Sequence, residues 1–183
     1  LEKLPNDTID LLQLPELAML VATDLAVLDH KDGAVTLIAN AINYDNSDER
    51  VDEAWADAQR RLAEMEAALG GQAPASVTSF DRSAKAEFTR ETQSSDYQAA
   101  VRIAQERIHA GDAFQIVLSQ RFATECQASA LDVYRVLRAT NPSPYMFLFR
   151  IPELTGPGEA LGTKVAFDIV GSSPEALVTL RNG

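Results

Sequence analysis

One cysteine, Cys126, and two histidines, His30 and His109, are all the thiol and imidazole groups that the 183 residues contain. A lone thiol cannot close an internal disulfide, and Cys126 has no Cys or His neighbour at ligand spacing, so neither a disulfide scaffold nor a zinc site is indicated. Cys126 reads as an ordinary small apolar residue, and a reducing, cytoplasmic setting is expected. Basic residues are also scarce: 16 Lys and Arg stand against 27 Asp and Glu, a formal net charge of -11, with the acids spread along the chain. Phosphate binding needs clustered Lys and Arg, so a nucleic-acid surface is excluded, and an anionic membrane is disfavoured for the same reason. No run approaches the roughly 18 apolar residues of a spanning helix, and no charged segment followed by an apolar one opens the chain as a signal peptide would. Generic catalytic patterns are missing too: no glycine-rich phosphate loop, no His-Glu-x-x-His, no nucleophile elbow, no Cys-x-x-Cys. His30 falls in a turn signal and His109 at a helix end, where a cation favours the helix dipole; both read as solvated or structural. The neighbouring acids Asp48, Glu49, Asp52 and Glu53 read as a solvated helix face, not an acid–base pair.

What is present suits a folded domain. With 46% apolar residues the chain can bury one core or two small ones. Residues 19–42 are rich in Val, Leu, Ile and Thr and are broken by His30-Lys31-Asp32-Gly33, in which Asp-Gly is a hairpin signal; two antiparallel strands are expected. From 48 to 69, Val51, Trp55, Ala58, Leu62, Met65 and Leu69 recur at helical spacing, and Gly70-Gly71 ends the pattern. Residues 70–92 turn small and polar with no sustained period, as a linker does, so a domain boundary is placed near Lys85. A second helix is predicted from Ser95, capped by its hydroxyl with Gln98 reaching back, and carrying Tyr97, Val101, Ala104 and Ile108 on one face before Gly111 stops it. Residues 114–122 are strand-like, Ser129 caps a helix through about 139, and 145–151 are strand-like again. A loop holding Gly156-Pro157-Gly158 then leads into strands over 165–170 and 176–181. Strands and helices do not alternate regularly, so the class is α+β, with antiparallel sheets and flanking helices. The chain opens at Leu1 without an initiator methionine and stops in a turn signal, Arg181-Asn182-Gly183; a piece of a longer protein is expected.

One segment stands out chemically: Asn141-Pro142-Ser143-Pro144-Tyr145-Met146-Phe147. Two prolines fix an extended path and remove backbone donors while leaving carbonyls free to accept from an ammonium group. Tyr145, Met146 and Phe147 offer an aromatic and polarizable wall suited to a flat apolar ligand such as an indole. Composition alone equally allows a helix end, a turn and a core strand.

That segment, together with Gly111-Asp-Ala-Phe-Gln-Ile-Val-Leu-Ser-Gln-Arg-Phe122 and Ile169-Val-Gly-Ser-Ser-Pro-Glu175, resembles anthranilate synthase component I in order and spacing, and the hairpin around Thr23-Asp-Leu-Ala-Val-Leu-Asp-His30 is similar to that family's amino-terminal domain. The resemblance implies the chorismate-binding fold, with residues 1–85 part of the N-terminal regulatory domain and 86–183 the start of the chorismate-binding domain. It implies conversion of chorismate and ammonia to anthranilate and pyruvate in tryptophan biosynthesis, a need for magnesium, a glutamine amidotransferase partner subunit supplying ammonia, and feedback inhibition by tryptophan. Tryptophan contacts carry over to Pro144, Tyr145 and Met146, with Asn141 and Phe147 as neighbours. In the related isochorismate and salicylate synthases the strand that resembles the one around Gln115 carries Lys, a base able to activate water; a glutamine cannot take that proton, so a site with Gln115 favours ammonia. Gln115 can equally be a half-buried strand residue satisfying hydrogen bonds. Glu175, after the bend at Pro174, is a candidate for the active-site wall, though an exposed glutamate after a turn fits as well. The family's Gly-Thr pair, catalytic histidine and magnesium-binding glutamates are expected after this chain, and its Leu-Leu-Glu-Ser segment before it, so the chain alone is not expected to catalyse. The 152–164 loop looks longer than the family's, which affects the edge of the effector pocket. Two rivals are aminodeoxychorismate synthase component I, from the folate pathway, and an amino-acid-binding regulatory module without chemistry.

Overall fold

The structure is a computed structural model and describes residues 9–72, 79, 81, 83, 85–153 and 164–173. The chain divides into two compact units, Leu1–Ala75 and Ser76–Gly183.

In the first unit, β1 (Asp24–Leu28) and β2 (Val35–Ala39) form an antiparallel pair with Leu25 opposite Ile38 and Val27 opposite Thr36. Their connection is the expected one. The Asp29 amide donates to the Ala34 carbonyl at 2.8 Å, and Gly33 takes φ +72°, a left-handed conformation that an L side chain rarely adopts. His30 lies in this turn, exposed, as predicted.

A short 3₁₀ turn, Asp48–Arg50, feeds α1 (Val51–Gly70). Ala58 is buried and Ala54, Leu62 and Met65 are half-buried, whereas Val51, Trp55 and Leu69 of the predicted apolar stripe stay exposed. The packed face is therefore rotated towards Ala54, and the reason is Arg61. Its side chain is only 18% exposed and pairs with Asp24 of β1. It also donates to Asp57 at 2.8 Å and to the Asn40 carbonyl at 2.8 Å. One guanidinium thus fixes the rotation of α1 on the hairpin through a donor fork that a lysine could not reproduce.

In the second unit a two-residue ribbon pairs β3 (Thr89–Arg90) with β4 (Phe122–Ala123). Phe88 meets Phe122 edge to face at 6.4 Å, and the Arg90 guanidinium lies over the Phe122 ring. The predicted strand over 114–122 is otherwise irregular: only Phe122 joins a ladder. A strand needs a neighbour for its amides and carbonyls; the Arg121 carbonyl accepts from the Glu91 amide at 3.2 Å, but none of the described residues supplies a ladder to 114–120.

Helix α2 (Ser94–His109) starts one residue before the predicted cap. Gln93 holds the N-cap position with no side-chain hydrogen bond there, and Gln98 reaches Ser94 Oγ at 3.3 Å instead. Ala104 is buried and Tyr97 and Val101 half-buried, as the periodicity predicts. Helix α3 (Ala130–Thr140) has the predicted cap, with Ser129 Oγ accepting from the Asp132 amide at 3.2 Å. It packs on an antiparallel hairpin of β5 (Met146–Pro152) and β6 (Val165–Ser172). Mixed helices and small antiparallel sheets match the α+β class. The predicted strand over 176–181 and the 156–158 loop lie outside the described residues. Among the described residues, no helix is long and apolar enough to cross a membrane.

The Arg61 cluster makes the first unit sensitive to acid. Hydrogen bonds from Arg61, and secondly Arg60, hold the Asp57 carboxyl below its ordinary value. A depressed folded-state pKa contributes stability that is complete above the unfolded-state value and is lost as pH falls through the folded-state one. Thermal melts between pH 6 and 2 should therefore show a loss of midpoint at the acid end, part of which Asp57→Asn removes, the rest staying with carboxyls such as Asp45 that are also held low. Arg61→Ala should lower the midpoint by a few degrees at neutral pH. Identical acid profiles for wild type and Asp57→Asn would refute this account.

Candidate functional site

The segment 141–147 begins where α3 ends. The Thr140 hydroxyl donates to the Val136 carbonyl and the Asn141 amide to the Leu137 carbonyl, both at 2.8 Å. Asn141 then leaves the helix at φ -143° and ψ 66°, as the clash of a following proline ring with an α-conformation demands. After Pro142 and Ser143, which belong to no helix or strand, the chain bends at Pro144 and Tyr145 and enters β5 at Met146.

Across from this entry runs the end of β6. Met146 pairs with Ser172, Phe147 with Gly171, Leu148 with Val170 and Phe149 with Ile169. The Ser173 amide extends the ladder by donating to the Tyr145 carbonyl at 3.0 Å, and the Ser172 hydroxyl donates to the Asn141 carbonyl at 3.3 Å. Two of the three sequence motifs, 141–147 and 169–175, therefore lie side by side through residue 173. Farther along the hairpin, Arg150 and Asp168 form a two-pronged ion pair across the strands, at 2.9 and 3.3 Å. The register shifts between Ile151 and Pro152, where a proline has no amide to give.

Strand alternation divides the candidate residues. Met146 is half-buried on the side that also carries the half-buried Leu148, Val170 and Ser172. Phe147 points to the opposite side, where it contacts Phe149 at 5.2 Å between ring centroids. Tyr145 is 69% exposed and Phe147 39%. The expected single wall of Tyr145, Met146 and Phe147 is thus not one surface, because consecutive strand residues face opposite ways. Pro144 and Asn141 are exposed. Among the described residues no donor reaches the carbonyls of Pro142, Ser143 or Pro144, the acceptors on which the ammonium-binding expectation rests.

Three features escaped sequence reasoning. Ser143 Oγ is buried without a hydrogen-bond partner, a costly state for a hydroxyl. A Cβ on Gly171 would lie 2.6 Å from Phe147 Cε1, so the ring covers the glycine directly. Ser172 is the third; its acceptor lies 31 residues away, so no local signal marks it.

Gln115 is exposed in the irregular stretch 113–121, and no described hydrogen bond joins it to 141–147. Glu175 lies outside the described residues. Among the described residues no group of three or more His, Cys, Asp and Glu is gathered to hold a metal ion. The described residues thus gather no magnesium site.

A family model described as chorismate binding enzyme matches residues 2–183, and the chain belongs to that family. Among its relatives, anthranilate synthase component 1 of Mycobacterium tuberculosis is 48% identical over 183 residues, which are 100% of this chain and 34% of the relative. The protein of the same name from Arthrobacter globiformis is 48% identical over 98% of this chain and 33% of its own length. That from Pseudomonas aeruginosa is 32% identical over 92% of this chain and 31% of its own. A crystal structure of anthranilate synthase component I from Streptococcus pneumoniae covers 69% of this chain and 27% of that one at 30% identity and a TM-score of 0.48. The chain spans about a third of the length of the curated relatives it matches.

The Phe147–Gly171 contact is testable by substitution. Gly171→Ala should destabilise the protein by about 1–3 kcal/mol in denaturant titrations, because the ring must leave its rotamer. Combined with Phe147→Ala it should show a coupling of more than about 0.5 kcal/mol in a double-mutant cycle. Strict additivity of the two losses would mean that the ring does not cover the glycine.

Proposed function

We propose that the full protein is the chorismate-binding subunit of anthranilate synthase, which converts chorismate and ammonia to anthranilate, pyruvate and water as the first committed step of tryptophan biosynthesis. The supporting observation is 48% identity along all 183 residues to proteins named for that activity. Ammonia comes from a glutamine amidotransferase partner, magnesium is bound by residues outside this chain, and the enzyme is cytoplasmic. Residues 1–85 belong to the regulatory domain and 86–183 begin the chorismate-binding domain.

In this reading Gln115 lies near the bond-forming carbon, in a strand completed by the rest of the protein. A carboxamide has no proton-accepting role at neutral pH, so it does not activate water, and ammonia needs no such activation. Glu175 forms part of the chorismate cleft wall. The 141–147 segment is the tryptophan site: the unpaired carbonyls of 142–144 accept from the ammonium group, and Pro144, Tyr145 and Met146 contact the indole, flanked by Asn141 and Phe147. Alternation allows Met146 and Phe147 to take part only from opposite sides of β5, so the indole packs against one of them and the loop, not against both rings of a flat wall.

Full-length protein supplied with chorismate, ammonium and magnesium should generate the fluorescence of anthranilate. Formation of aminodeoxychorismate in its place would assign the protein to the folate pathway. Met146→Ala should weaken tryptophan inhibition about tenfold or more, the effect of losing one buried side-chain contact. Asn141→Ala should weaken it less. A calorimetric titration showing no tryptophan binding to the full-length protein would remove the effector reading while leaving the enzyme assignment standing.

A further inference from the structure

The loop proposed to hold tryptophan is pinned at both ends by adjacent residues of one strand. At its entry, the Ser172 hydroxyl donates to the carbonyl of Asn141, the residue that terminates α3. At its exit, the Ser173 amide donates to the carbonyl of Tyr145. Between these two anchors the carbonyls of Pro142, Ser143 and Pro144 receive no donor among the described residues. The exit anchor is main chain to main chain and survives any side-chain change. The entry anchor depends on one hydroxyl.

We propose that Ser172 is a positioning residue for effector binding, its hydroxyl holding the Asn141 carbonyl so that the loop's free carbonyls stay presented to the ligand's ammonium group. The assignment rests on the tryptophan reading above. It has a simple energetic basis: a loop fixed before binding does not spend ligand affinity on its own ordering. Alanine at 172 leaves the ladder and the ring over Gly171 intact but frees the entry, and the Asn141 carbonyl returns to solvent. Threonine keeps the hydroxyl and suits a strand.

The test uses the full-length protein in four forms: wild type, Ser172→Ala, Ser172→Thr and Asp168→Asn. The last breaks the Arg150–Asp168 pair in the same hairpin without touching the loop. Hydrogen exchange of peptides covering 141–147 is measured without ligand, and L-tryptophan affinity by calorimetry. Ser172→Ala should raise exchange in 141–147 and weaken binding about fivefold, the usual effect of one net hydrogen bond. Ser172→Thr should restore both, and Asp168→Asn should bind within about twofold of wild type. An alanine variant that binds tryptophan as wild type does overturns the assignment, whatever its exchange. So does an Asp168→Asn variant weakened as much as the alanine one, since general loosening of the hairpin would then suffice. If wild type binds no tryptophan, the effector reading fails by itself, and unchanged exchange in Ser172→Ala would then dismiss the anchor as well.

Discussion

The antiparallel register that sets Met146 opposite Ser172 and Phe147 opposite Gly171 is the constraint on which the rest of the candidate site depends. It brings together two motifs separated by more than a loop's length of sequence, and it does so by main-chain pairing that leaves no freedom of one residue. A slip of one position would move Met146 to the Phe147 side and carry a side chain bearing a Cβ under the ring. Gly171 enforces the correct pairing, because the ring fits there only where no Cβ stands. Arg150 and Asp168, facing one another farther along, reinforce the same register through charge.

How much of this was legible in the sequence follows from how far each element reaches for its partners. The β1–β2 hairpin, the Ser129 cap and the β5 strand rest on contacts within a few residues or on backbone preferences of Pro and Gly, and they came out as read. Residues 114–121 look like a strand because Phe114, Ile116, Val117 and Leu118 favour one, yet a strand exists only beside another strand. Pattern describes a preference; the ladder needs a neighbour, and among the described residues 114–120 have none. Trp55 erred for a related reason: periodicity places it on an apolar stripe, but Arg61 reaching Asp24 and the Asn40 carbonyl turns the helix so that Ala54 and Ala58 face the hairpin. No window of sequence shows that a half-buried guanidinium will outweigh an indole. The Ser172 anchor was out of reach as well, since its acceptor lies 31 residues away.

Burial tells the same story at a larger scale. Ala58, Ala104 and Ile151 are the buried apolar residues, and none of the described side chains is large and fully enclosed. Phe147, Phe149 and Ile169 leave one side of the β5–β6 hairpin open, while α2 packs against no other described helix or strand. The curated relatives of the family are about three times this length, and a longer chain buries a larger share of its surface. Gln115 belongs to this group. Its role in any reaction depends on non-local strand pairing, so it is the part of the candidate chemistry least determined by the residues around it.

The 141–147 segment is the reverse case, and the contrast bears on how regulation and catalysis divide within one family. Its own path is set close at hand, since α3 gives way at Asn141 because Pro142 follows and Pro144 stiffens the turn, while its far wall is the hairpin partner, whose Ser172 stands 31 residues from Asn141. A ligand loop specified by such contacts is ordered before ligand arrives and keeps its geometry when remote parts of the fold shift. Catalytic groups drawn from separate strands cannot have that independence. In the effector reading proposed above, the segment would meet its ligand through a rigid local frame bonded to the end of β6, with the hydroxyl of Ser172 at the junction.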